Sequence, residues 1–144
     1  MMEPDTVKLL RECDAGVKMG IQSIEDVVEQ VENDDFHRCL MDCKKEHDKL
    51  HDEIQQRLAQ CQDAGKDPPA MVSAMSKMKT GVMLAIHPDD PTIADLMTDG
   101  CNMGVKSLNR YLNQYEAADE HSKDIAKRLI HLEAQLSVDM RPYL

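Results

Sequence analysis

Apolar side chains recur along most of the chain at the spacing of one helical face. Leu10, Cys13, Val17, Ile21, Ile24, Val28 and Val31 are separated by 3, 4, 4, 3, 4 and 3 residues, a single stripe on an α-helix. Pro4 and Asp5 suit its first turn, and Asn33, Asp34 and Asp35 supply a stop and a fresh cap. The stripe resumes through Phe36, Leu40, Cys43, His47, Leu50, Ile54, Leu58 and Cys61 and predicts a second helix over 35–63, which the Gly65, Pro68 and Pro69 turn ends. Met71, Met75, Met78, Val82 and Ile86 then share one face of a shorter connecting helix, predicted to pack on the rest of the fold and broken by Pro88 and Pro91. Ile93, Met97, Gly100, Gly104, Leu108, Tyr111 and Tyr115 mark a third long helix. Ala118, His121, Ile125, Leu129, Leu132, Leu136 and Met140 mark a fourth. No glycine or proline parts these two, yet one helix over 91–140 would be about 75 Å long and could not fold back on a compact domain. A break near 113–119 is therefore expected.

These elements predict an all-α fold: four long helices with a long crossover over 64–90 that contains the short helix. That is the ferritin-like plan of a bundle with one long connection, in which helices two and three run parallel. Val17, Ile21, Ile24, Leu40, Leu50, Ile54, Leu108, Leu129 and Leu132 are the expected core. The glycine-spaced run Asp14-Ala15-Gly16-Val17-Lys18-Met19-Gly20, the connector after a Gly and Pro turn, and the run Gly104-Val105-Lys106-Ser107-Leu108-Asn109-Arg110-Tyr111 carry a resemblance. The chain resembles the small bacterial ferritin-like proteins grouped as a domain of unknown function. The resemblance covers nearly the whole chain and implies a ferritin-like bundle.

A length of 144 residues fits one domain, 1–144, large enough to bury a core without disulfide or metal staples. The net charge is −10, and residues 1–36 hold much of the excess, with ten acidic and three basic side chains. There is no Trp and one Phe, Phe36. An acidic surface without aromatic platforms argues against nucleic-acid binding. No apolar run is long enough to span a membrane, and the acidic start lacks the basic and apolar regions of an export signal. The expectation is a cytoplasmic protein whose five cysteines are reduced thiols.

A ferritin-like di-iron centre needs a Glu-x-x-His on each of two helices. Neither copy exists here: three residues before His47, His51, His121 and His131 stand Lys44, Asp48, Ala118 and Arg128. No di-iron site, ferroxidase activity or other cofactor is expected. A second constellation uses softer ligands. Cys39, Cys43, His47 and His51 follow one another at intervals of four along the second helix. At 1.5 Å per residue, Cys43 and His47 fall about 13 and 20 Å from the turn at 34–35, with Cys101 about 15 Å and His131 about 17 Å down. Cys43, His47, Cys101 and His131 are therefore a candidate Zn or Cu set. The competing interpretation makes both cysteines small core hydrophobes and His47 a core histidine with a polar partner. A lower layer of Cys13, Tyr111 and His121 is expected to hydrogen-bond within the core. No orienting group or oxyanion donor set accompanies it, so no catalysis is expected there.

The 11 methionines supply a third candidate. Met71, Met75, Met78 and Met83 put more apolar surface on the connecting helix than one narrow stripe can bury. They are a candidate interface for a homo-oligomer, a dimer in the first instance, or for another protein. Two functions follow from the residues: a non-enzymatic helical bundle acting by oligomerisation or protein binding, or a metal-binding bundle using Cys and His.

Overall fold

The structure is a computed structural model and describes residues 3–144. It contains five α-helices: α1 (Pro4–Val27), α2 (Asp34–Gln60), α3 (Ala70–Ile86), α4 (Asp90–Gln114) and α5 (Glu120–Asp139). Short 3-10 turns follow α1 at Val28–Gln30 and α5 at Arg141–Tyr143, and no strand occurs among the described residues. Three helices start on the signal a capping residue provides. The side chains of Asn33, Asp89 and Asp119 accept from the backbone N–H groups of Phe36, Thr92 and Ser122 at 3.0, 2.9 and 2.8 Å. The Asp119 cap makes the expected break between α4 and α5, without a glycine or proline.

End contacts fix the direction of each helix. Near the start of α1, Thr6 accepts from the backbone of Asp119 at 2.8 Å and Asp5 from that of Ala117 at 3.0 Å. At the opposite end, the carboxylate of Asp90 accepts from the backbones of Glu32 and Asn33, both at 2.9 Å. Helices α2 and α4 thus start at one end and run the same way, and α3 carries the chain back between them. Helix α1 packs on α2, α4 and α5, and α5 packs on α2 and α4, whereas α3 rests on α1 and α4.

The core is divided into two apolar layers. One gathers Leu9, Leu10, Val17, Leu50, Ile54, Leu58, Leu108, Ile125 and Leu129, and the other gathers Ile24, Phe36, Leu40, Ile93, Met97, Leu136 and Met140. Tyr143 closes the second layer by stacking on Phe36 at 4.6 Å. Val17, Ile24, Leu40, Leu50, Ile54, Leu108 and Leu129 are buried as expected. Ile21 and Leu132 are only partly buried and pack against the edge of the first layer.

Helix α3 corrects the sequence expectation that its stripe packs on the rest of the fold, and it also takes Met83 out of the expected interface, since that side chain is partly buried. Met71, Met75, Met78, Val82 and Ile86 all face solvent, and Leu84 is the one buried residue of the helix. The inward side is formed instead by Ser73, Ser76, Thr80, Met83 and Leu84. Ser73 donates to Gln22 at 3.2 Å and Lys77 pairs with Asp26 at 3.6 Å. Small polar side chains let α3 sit on the charged flank of α1, and the apolar stripe points directly away from it.

Candidate functional site

Between the two apolar layers lies one polar layer, to which four helices contribute. His47 of α2 is fully buried, with Nε2 2.8 Å from Oε1 of Glu133 on α5. Its Nδ1 lies 2.9 Å from the backbone carbonyl of Cys43, one turn earlier. Both ring nitrogens therefore face oxygen atoms, an arrangement that favours a proton on each and so the charged form of the ring. Burial by itself would lower the His47 pKa, but the bonds to Cys43 and Glu133 and the Glu133 charge outweigh it and hold it well above the ordinary imidazole range.

Space for this pair comes from α1 and α4. A Cβ on Gly20 would stand 2.7 Å from His47 Nε2 and 3.1 Å from Glu133 Oε1, while one on Gly104 would meet the Glu133 side chain at 3.7 Å. Gly20 is thus required by close approach. The thiol of Cys101, also buried, lies beside the Glu133 carboxylate. Burial and then the adjacent Glu133 charge push its pKa far up, so it stays a thiol. Cys43 Sγ lies 3.5 Å from His47 Nδ1, and burial raises the nearby Cys39 thiol to about 11.

Of the expected ligand set, Cys43 and His47 touch each other, and the buried Cys101 lies beside the same Glu133 that His47 meets. The fourth, His131, is exposed on the outer side of α5, and Glu133 stands where it was expected. The lower layer does not assemble as expected either. Cys13 is buried, its thiol pushed up to about 12 by burial and by the charges of Glu12 and Asp14. Tyr111 is only partly buried and stacks on Tyr115 at 6.2 Å, and His121 is exposed, bonded to Glu53 at 3.0 Å.

Glu133 had a signal that sequence reasoning missed. It stands four residues after Leu129 and three before Leu136, so the buried stripe of α5 passes through a glutamate. Among the described residues no group of three or more His, Cys, Asp or Glu side chains is arranged to hold a metal ion. Each nitrogen of His47 already has a protein partner, and a metal would have to displace one.

A second polar node secures the connection before α3. Asp14, fully buried on α1, receives Lys18 Nζ at 2.8 Å, Gln55 Nε2 at 2.7 Å and the Lys66 backbone N–H at 2.9 Å. Gly65 has φ +88, and a Cβ there would run into the Asp14 carboxylate. The open spaces on the molecule lie elsewhere, as shallow grooves of about 510 and 350 Å³ between α1 and α3. Among the described residues no helix is long and apolar enough to cross a membrane. No protein-family model, curated protein or solved structure matches the chain.

Proposed function

We propose that the protein is a cytoplasmic, ferritin-like four-helix bundle without a di-iron site, and that it works by association rather than by catalysis. The observation that carries this reading is the outward apolar stripe of α3. Met71, Met75, Met78, Val82 and Ile86 are each 53–75% exposed on one face, a continuous strip of the kind that marks a binding surface. The buried polar layer supports it from the other side, because His47 and Glu133 satisfy each other in a closed core. The parallel course of α2 and α4 and the long connection between them support the ferritin-like assignment.

The test is a photoactivatable residue in place of Met75 in the full chain inside the cells that make it. Illumination should give protein adducts in clearly higher yield than the same probe at Met103, an equally exposed position on α4. Equal yields at the two positions would overturn the reading.

A metal-binding function has one observation behind it, the contact of Cys43 with His47 and the approach of His47 and Cys101 to the same Glu133. It requires about one Zn or Cu per chain in untagged protein by elemental analysis, lost when Cys43 and His47 are substituted together. Protein purified without stoichiometric metal would remove this second reading.

A further inference from the structure

The association reading leaves open what covers α3, and on that reading we infer that the occupant is α3 of a second copy of the same chain, packed antiparallel about a two-fold axis near Met78. Three observations point to this partner.

The first is self-complementarity. Turned end for end, the stripe places Met71 against Ile86 of the other copy, Met75 against Val82, and Met78 against Met78. Met71 and Met75 then each meet a branched, stiffer side chain, a pairing in which Met fills the irregular space left by its neighbour, and the two Met78 thioethers adapt to each other at the axis. A two-fold contact needs this property, since the same patch must serve both sides. Small residues adjoin the stripe: Ala74, Gly81 and Ala85 are exposed, and a Cβ added to Gly81 would meet nothing within 4 Å. A second helix can therefore come close along that edge.

The second is charge. Helix α3 is the only one of the five without an acidic residue, in a chain of net charge −10. It carries Lys77, which pairs with Asp26 of α1, and Lys79. Contact through any other helix would set carboxylates of one copy against those of the next. Contact through α3 does not.

The third is area. The stripe from Met71 to Ile86 is about 22 Å long. Two such strips face to face remove on the order of 1,200 Å² from water, the lower end of what specific interfaces bury. The core of that area is apolar, and the lysines lie outside it.

Sedimentation equilibrium on the full, reduced chain tests the inference. Wild type at tens of micromolar and moderate salt should sediment as a dimer of the 16.3 kDa chain. The double substitution Met75→Glu, Met78→Glu, on largely exposed side chains, should keep the helical circular dichroism of the wild type and weaken self-association at least ~100-fold. Met103→Glu, on α4, should leave the dimer intact. A wild-type monomer at 100-micromolar concentration overturns the inference, as does a dimer that survives the double substitution or is lost with Met103→Glu. A monomer whose Met75 probe still gives specific adducts of other masses would overturn the second copy as occupant and leave the association reading standing.

Discussion

At the residue scale, the buried His47–Glu133 pair sets specificity more than stability. Taking two charges out of water is costly, and their attraction roughly returns that cost only while both are present. His47→Ala should therefore lose about 3 to 5 kcal/mol in denaturant unfolding, because Glu133 is left buried without its partner. Replacing the pair together, His47→Leu with Glu133→Met, should come within about 1 kcal/mol of wild type or exceed it. A double variant as weak as the single one would show that the pair itself carries the stability. Its pH dependence follows from the direction of the shift. Because the His47 pKa is raised on folding, its contribution is complete below the unfolded value of about 6.5 and fades as pH rises through the folded value. The destabilisation by Glu133→Gln should accordingly be larger at pH 6 than at pH 10.5. The flanking glycines make a second residue-level test, since a Gly→Ala change has opposite signs at two sites. Gly20→Ala drives a Cβ into His47 and should destabilise by about 1 to 3 kcal/mol. Gly100→Ala, whose Cβ would meet nothing within 4 Å, should stabilise α4 by about 0.5 to 1 kcal/mol. Half of this site was legible in the sequence. Cys43, His47 and Cys101 could be placed in one layer by helical rise alone, but Glu133 was hidden because a glutamate on an amphipathic helix reads as solvent-facing unless its partner on another helix is known. His131, two residues away, is at the right height on the wrong side of α5.

At the element scale, helix positions follow from periodicity and caps, while the facing of α3 does not. The stripes on α1, α2, α4 and α5 turn inward because their opposite faces are too charged to bury. Helix α3 has no such opposition: its second face is Ser73, Ser76 and Thr80, which packs adequately on the polar flank of α1. A hydrophobic stripe looks the same in sequence whether it meets its own fold or another surface, so only the docking of the two ends decides. The first of those ends is held by Asp14, through Lys66, Gln55 and Lys18. Asp14→Ala removes the acceptor from all three and should cost about 2 to 4 kcal/mol. Hydrogen exchange locates the effect: amides of 64–86 should lose protection first, and those of α5 should not. Uniform loss across the helices would mean that Asp14 supports the core and does not anchor the connection.

At the scale of the whole molecule, the charge balance governs both acid stability and assembly. Glu53 receives a bidentate grip from Arg128 at 2.6 and 2.8 Å and a bond from His121. The Arg128 bonds, against a smaller opposing effect of burial, hold its pKa down at about 2. A lowered carboxyl contributes stability above its unfolded value of about 4.3 and loses it as pH falls toward 2, so Glu53→Gln should shift the acid-unfolding midpoint upward. Assembly has the opposite relation to charge. Two copies bring −10 each into one particle, so long-range repulsion opposes the apolar contact through α3 until salt screens it. Raising ionic strength shortens the screening length from about 30 Å at 0.01 M to about 8 Å at 0.15 M. Self-association should therefore tighten over that range, with the dissociation constant from sedimentation falling severalfold. An interface held by Lys79 and carboxylates of the other copy would respond the other way, weakening as salt rises. The sign of the salt dependence thus separates an apolar contact from an ion-paired one, and weakening would mean that ion pairs, not the apolar stripe of α3, hold the two copies together.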